Sequence, residues 1–463
     1  MKKIKKNFKT AAQLIAALLF LFLPVSCKKY LDVGTPKDKL VTAAVFKDNQ
    51  TATAAIVGIY SDMMQTFKLL SSNINWFTGL STDEMAFPVG SSPLSFVQMQ
   101  ANQVTPDNAD INTCWSNGYS YIYDANDCIE GLNASTGLSD ATKNQLLGEA
   151  KFIRAFTYFY MVNLWGDVPL VTTTEQSVNA ALPRTDQNKI YDLITQDLLD
   201  AQSLLPAAYT TPNRVRPNKW TATALLARVY LYRKDWKNAE LQASQIISSG
   251  TYSMNALASN FLNTSNETIW QLMPVNPSYN TLIAFRGYPT NATVVPNLTL
   301  TNDLVNSFES GDQRRTTWVG SQTVNGTTYY FSGKYKLRTG TPLNEYYIVF
   351  RLAEQYLIRA EARAQQSNPN GAVDDINIVR NRAGLAALPY TLTLAQLLPA
   401  IEKERRVELF EEWGDRWFNL KRTGRIDAVM SAYRNTWKST ASLWPIPLIQ
   451  LNANPNLTQN NGY

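Results

Sequence analysis

The stretch Thr223-Ala-Leu-Leu-Ala-Arg-Val-Tyr-Leu-Tyr-Arg-Lys-Asp-Trp-Lys-Asn-Ala239, continued by Ala243 and Ile246, decides the fold class. Apolar residues recur at helical spacing over Thr221 to Arg233 and again over Trp236 to Ser248, and alanines on the second segment let it approach the first closely. Two short helices joined by a tight turn with small residues at matched positions form a tetratricopeptide-like pair. Tyr356-Leu-Ile-Arg-Ala-Glu-Ala-Arg-Ala364, then Asn368-Pro-Asn-Gly and Ala372 and Ile376, repeats that layout. The two copies are not in strict tandem, so the pattern predicts helix pairs scattered through one scaffold and not a regular solenoid.

Working outward, Asn188 to Leu205 places Ile190, Leu193, Ile194, Leu198, Ala201, Leu204 and Leu205 on one face. Thr185 and Asp186 stand where caps belong, and Pro206 stops the run. Similar stripes run over Gln145 to Leu164, Glu345 to Ala364, Asn370 to Ala383 and Leu394 to Leu420. From Tyr252 to Thr341 the pattern breaks into short apolar runs between Asn, Pro, Gly and Thr, which predicts long loops with a hairpin at Asn325-Gly326. The expected fold is mainly all-α: a single helical body with long irregular loops that carry ligand. Its regions are 27–235 and 236–463, the second including the loop-rich 252–341.

Met1 to Lys9 is a lysine-rich leader, Leu14 to Leu23 a short apolar run, and Leu23-Pro24-Val25-Ser26-Cys27 has the form of a lipobox. That predicts a signal peptide over 1–26 and a lipid, palmitate among its acyl chains, on Cys27. The run is shorter than the roughly 20 residues a spanning helix needs. Removing the five leader lysines takes the net charge from +6 to +1, so no electrostatic case for nucleic acid remains. Cys114 and Cys128 fall on one helical stripe, about 21 Å apart at 1.5 Å per residue, too far for a disulfide. Two cysteines without a single histidine make a zinc site implausible, and the Ser-His and Cys-His dyads are excluded.

Seven blocks in order then resemble the SusD/RagB family of outer-membrane nutrient-uptake lipoproteins. They begin with Ser26-Cys-Lys-Lys-Tyr-Leu-Asp-Val33, Lys151-Phe-Ile-Arg-Ala-Phe-Thr-Tyr-Phe-Tyr160 leading to Leu164-Trp-Gly-Asp-Val-Pro-Leu170, Pro183-Arg184, and Ala227-Arg-Val-Tyr-Leu231. Arg351-Leu-Ala-Glu-Gln-Tyr-Leu-Ile-Arg-Ala-Glu-Ala362, Asn377 to Gly384, and Glu402 to Glu412 with Arg416-Trp-Phe-Asn-Leu420 continue them. Ile446-Pro447 through Asn460 resembles the family's ending, with Asn461 where proline is usual. The resemblance implies four tetratricopeptide-like units, a cell-exterior position on the outer membrane through the lipid, and a SusC-type TonB-dependent transporter as partner. It also implies capture of an oligosaccharide, or in some members a peptide or other nutrient, without catalysis and without a cofactor or metal.

Sugar binding needs flat apolar faces flanked by amides, carboxylates or guanidinium groups. Outside the expected helices these are Trp76 beside Asn75, Tyr279, Tyr288 beside Arg286, Trp318 and Tyr330. A helical glycoside hydrolase would instead need paired carboxylates. Asp83-Glu84 is the best such pair, and the sequence reads it as a solvated cap. The charges of Glu402 to Glu412 read as intrahelical pairs, Glu402 with Arg405 and Arg406, Glu412 with Arg416.

Overall fold

A computed structural model describes residues 42–88 and 93–463, with side chains from residue 44 onward. Met1–Val45 and Phe46–Tyr463 are separate units; the expected signal peptide and Cys27 lie outside the described residues. No helix among the described residues is long and apolar enough to cross a membrane.

The Phe46–Tyr463 unit is built on helices α1 (Asn49–Met63), α2 (Ile74–Leu80), α3 (Leu94–Ala101), α4 (Ala109–Ala134), α5 (Asp140–Trp165), α6 (Gln187–Leu204), α7 (Lys219–Tyr232), α8 (Trp236–Ser248), α9 (Leu352–Gln365), α10 (Pro369–Arg382), α11 (Leu394–Leu409), α12 (Asp415–Arg422) and α13 (Ile426–Tyr433). From α4 to α10 each helix packs on the one before it. The local chemistry punctuates this winding: Ser139, Asp186, Asn218 and Asp235 cap α5 to α8 with side-chain oxygens, and Asn368 caps α10 ahead of Pro369. Ala227, Ala239, Ala243 and Ala362 are fully buried together with Leu231 and Ile358. The second pair therefore stacks on the first through side chains that end at Cβ. Cys114 and Cys128 lie on the unbroken α4, both free and buried.

The segment between α8 and α9 holds most of the strand structure. β1 (Met85–Ala86), β5 (Thr299–Leu300), β7 (Thr327–Ser332) and β6 (Val319–Val324) form one sheet in that order. The β6–β7 hairpin turns at Asn325 and Gly326, with φ of 50° and 78°, as a two-residue loop with positive φ requires. β2 (Val168–Pro169) pairs with β3 (Arg184–Thr185), and β4 (Thr268–Leu272) with β8 (Tyr347–Arg351), antiparallel in both cases.

Two helix boundaries differ from the sequence expectation. The Glu345 stripe begins as the strand β8, because the aromatic and β-branched run Tyr346-Tyr-Ile-Val-Phe350 pairs with β4 before the helix starts. The Leu394–Leu420 stripe is broken at Phe410–Gly414, where Glu411, Trp413 and Gly414 have positive φ. The break is held by buried cations: Lys334 Nζ donates to the Glu408 and Phe410 carbonyls at 2.8 and 2.7 Å, and Arg351 Nη2 to Glu408 O at 2.8 Å. Those donors replace the amides that a continuing helix would have offered.

The expected intrahelical ion pairs are also corrected. Glu402 pairs with Arg416 and Arg425, Arg405 with Asp415 and Glu354, and Arg406 with Asp83. Glu412 pairs with Arg351 and Lys334. Asp83-Glu84 is not solvated, for both residues are buried. Asp83 receives a two-pronged bond from Arg416 at 2.8 Å on each oxygen and ties α12 to the N-terminal half. Glu84 Oε1 has no partner; burial, then the Asp83 charge, pushes its carboxyl up to about 8.

Candidate functional site

Phe67 sits between α1 and α2 with a left-handed backbone, φ 60°, a conformation that disfavours a bulky side chain. Asn73 Nδ2 donates to its carbonyl at 2.8 Å and secures the turn. The ring is 42 % exposed and rests on Trp76, which is 2 % exposed, with centroids 6.1 Å apart. The backbone thus holds an aromatic face toward solvent at a conformational cost.

The 279–288 segment completes that surface. Tyr279 reaches Thr66 Oγ1 through its hydroxyl at 3.2 Å and stacks on Phe285, 5.1 Å between centroids and 26° between planes. Arg286 is exposed, its guanidinium 5.4 Å from the centre of Phe67 and 5.9 Å from that of Phe285. Arg338 lies 5.1 Å over Phe285 from another loop and donates to Tyr288 O. Arg338 is aimed by its loop: Asn280 N donates to Arg338 O at 3.2 Å, and the buried Glu345 carboxylate accepts from Lys336 N at 2.9 Å and Leu337 N at 3.0 Å. Burial raises Glu345 to about 7 against the pull of those two amides. Arg286 and Arg338 form no ion pair with a described residue, so their remaining N–H donors are free for an oxygen-rich ligand. The shelf thus offers aromatic faces for C–H surfaces and guanidinium forks for hydroxyls.

Of the sequence candidates, Trp76, Tyr279, Arg286 and Tyr288 meet at this shelf, Trp76 and Tyr279 as its buried floor. Trp76 is on α2 and not in a loop. Asn75 is corrected: it is buried and donates to Glu411 O at 2.9 Å, away from the surface. Trp318 is corrected too, since it is 1 % exposed, donates to Leu257 O at 2.9 Å and packs among Phe261, Lys334, Arg351 and Arg382. Tyr330 lines a separate cavity of about 340 Å³ with Tyr329, Tyr433, Asn302 and Asp303, and Arg315 lies 5.0 Å over its ring. Tyr288 packs instead on Phe331, the next residue of β7, at 5.3 Å. Alternation along β7 places the two groups on opposite faces of the strand.

Phe67, Phe285 and Arg338 escaped the sequence reading. Phe67 and Phe285 fell outside a reading that looked for Trp and Tyr; the signal available at Phe67 was a large aromatic between two helices, next to Thr66 and Lys68. Arg338 is brought in by a loop closure that spacing does not reveal. No group of His, Cys, Asp and Glu among the described residues has the arrangement of a metal site.

Residues 29–231 match the family described as starch-binding and associating with the outer membrane, and residues 265–463 match the SusD family. A SusD-like protein of Formosa agariphila is 25 % identical over 97 % of this chain and 99 % of its own. The starch-binding protein SusD of Bacteroides thetaiotaomicron is 24 % identical over 72 % of this chain and 75 % of its own. A solved laminarin-binding SusD-like protein superposes with a TM-score of 0.76 at 25 % identity, covering 90 % of this chain and all of the other.

Proposed function

The chain belongs to the SusD/RagB family, and from that premise we propose that it is a lipid-anchored glycan-binding protein of the outer membrane. It captures an oligosaccharide and passes it to a SusC-type TonB-dependent transporter without breaking a bond. The observation that carries the binding step is the shelf, where two arginines without carboxylate partners lie over phenylalanine rings and leave donors and a flat face open together. Starch-binding SusD and the laminarin-binding relative support a glycan as the ligand class. Binding without hydrolysis is supported by the fate of Asp83, the best acidic candidate, whose oxygens are taken by Arg416 and Arg406 within the body. The anchor rests on the lipobox at Cys27, and the position at the cell exterior rests on the family.

Calorimetry of the purified protein against β-glucans, α-glucans and other oligosaccharides, with Phe67→Ala and Arg286→Ala beside it, tests this reading. Binding to at least one glycan, weakened about tenfold by either change and with no new reducing ends, is the expected result. Glycan binding that ignores both substitutions removes the shelf as the site, and release of reducing ends removes the non-catalytic reading.

A further inference from the structure

A second cavity, of about 400 Å³, lies where the C-terminal end of α5, the N-terminal end of α6, the α7–α8 turn and α12 meet. It shares no residue with the shelf. Arg233, Lys234, Lys421 and Arg422 line it, and none of the described lining residues is a carboxylate. Two of the four cations are neutralised from outside, Arg233 by Asp192 at 2.7 Å and Arg422 by Glu361 at 2.5 Å. Lys234 and Lys421 form no ion pair with a described residue.

Lys421 has a structural duty, donating to the carbonyl of Asn163 near the C-terminal end of α5, where a cation favours the helix dipole. That contact uses one of three N–H donors. Its ammonium lies 5.9 Å from the Trp417 ring and finds no acidic neighbour, so burial pushes it down to about 7. A half-buried ammonium that shares a cavity with a second unpaired lysine is electrostatically unsatisfied, and an oxyanion would relieve both. Gln187 and Asn188 add amides to the same wall, suited to hydroxyls. The α6 backbone amides are not part of the attraction, because Asp167 and Asp186 already accept from Gln187 N and Asn188 N at 2.9 and 2.8 Å. The volume falls within the roughly 300–1,000 Å³ of small-ligand pockets.

We propose that this cavity binds a compact oxyanion, either the carboxylate or sulfate of one acidic sugar or a free inorganic anion, with Lys421 and Lys234 as its counter-charges. It is a binding site separate from the shelf, and its proposal stands whether or not the shelf takes a glycan. The test is titration of the purified protein with glucuronate, glucose 6-sulfate, inorganic sulfate and, as the uncharged control, glucose, for wild type, Lys421→Met and Lys234→Gln. Saturable binding of at least one anion, no binding of glucose, and a loss of about tenfold in Lys421→Met and about threefold in Lys234→Gln are expected. Tighter binding of the sugar acids than of sulfate assigns the site to an acidic glycan residue; the reverse assigns it to a free inorganic anion. Lys234 is exposed, so its variant serves where Lys421→Met fails to fold. Absence of binding to all three anions, or anion affinity unchanged in Lys234→Gln and in any folded Lys421→Met, overturns the proposal. Phe67→Ala, which strips the shelf, leaves anion affinity unchanged.

Discussion

Arginine serves opposite ends in two regions of this protein. Around Arg351 each guanidinium is met by carboxylates: Glu412 at 2.7 Å, Glu267 at 2.9 Å and Glu408 on Arg351 itself, with Arg314 held by Asp312, Glu404 and Glu408 at 2.8, 2.6 and 2.9 Å. At the shelf Arg286 and Arg338 meet only rings and a carbonyl. The first arrangement spends all of Arg351's donors and most of its neighbours' within the fold, and the second keeps donors in reserve. The distinction lies in the company a charge keeps and not in the residue type, and it separates the scaffold from the proposed ligand surface where composition does not.

The sharpest way to break the comparison is to remove a carboxylate from the closed region. Glu408→Ala leaves Arg351, Arg314 and Arg382 buried without their shared partner, which costs about 3 to 5 kcal/mol and appears as a lower urea midpoint. Burial would raise the Glu408 carboxyl, but Arg382, Arg351 and Arg314 together hold it well below the usual range, which marks how much the network depends on that charge. Trp318→Ala and Trp76→Ala each cost about 3 to 5 kcal/mol as cavities. Only Trp76→Ala changes glycan affinity in the folded fraction, because it removes the floor under Phe67. Phe67→Gly separates stability from function: the left-handed backbone is relieved, so unfolding is unchanged or harder by up to about 1 kcal/mol, while glycan affinity falls about tenfold.

A separate effect comes with pH. Burial raises Glu84 to about 8 and Glu345 and Glu411 to about 7. A carboxyl raised in the folded state binds more protons there than in the unfolded chain, so stability falls as pH rises from about 4.5 toward 7. Thermal midpoints across that window are expected to decline, and Glu84→Gln, which cannot ionise, flattens the decline. Midpoints that rise steadily over the window contradict the assignment.

The helical body was legible because the information is local. Ala227, Ala239 and Ala243, the caps Asp186 and Asn368, and the Asn325-Gly326 turn all act within a few residues of where they stand. The closed charge region was not, since Glu412 meets Arg351 from 61 residues away and Arg406 meets Asp83 across most of the chain, and helical spacing offered nearer but wrong partners. The proposed site followed the same division in part. Trp76, Tyr279 and Arg286 carry residue types that sugar contact asks for and come together at the shelf, while Tyr288 reaches it through its carbonyl. Trp318 carries the same type and is consumed by the core, a choice made by packing against Phe261 and the Arg351 region that no neighbour in sequence announces.

On the proposed function, the arginines lacking carboxylates bind ligand while those with carboxylates hold the fold. The most direct measurement is a paired one on Arg286→Ala, glycan affinity by calorimetry and unfolding free energy by urea. The expected result is affinity lower by about tenfold with stability within about 0.5 kcal/mol of the parent. A variant that binds glycan as the parent does, or that loses stability on the scale of Glu408→Ala, would contradict it.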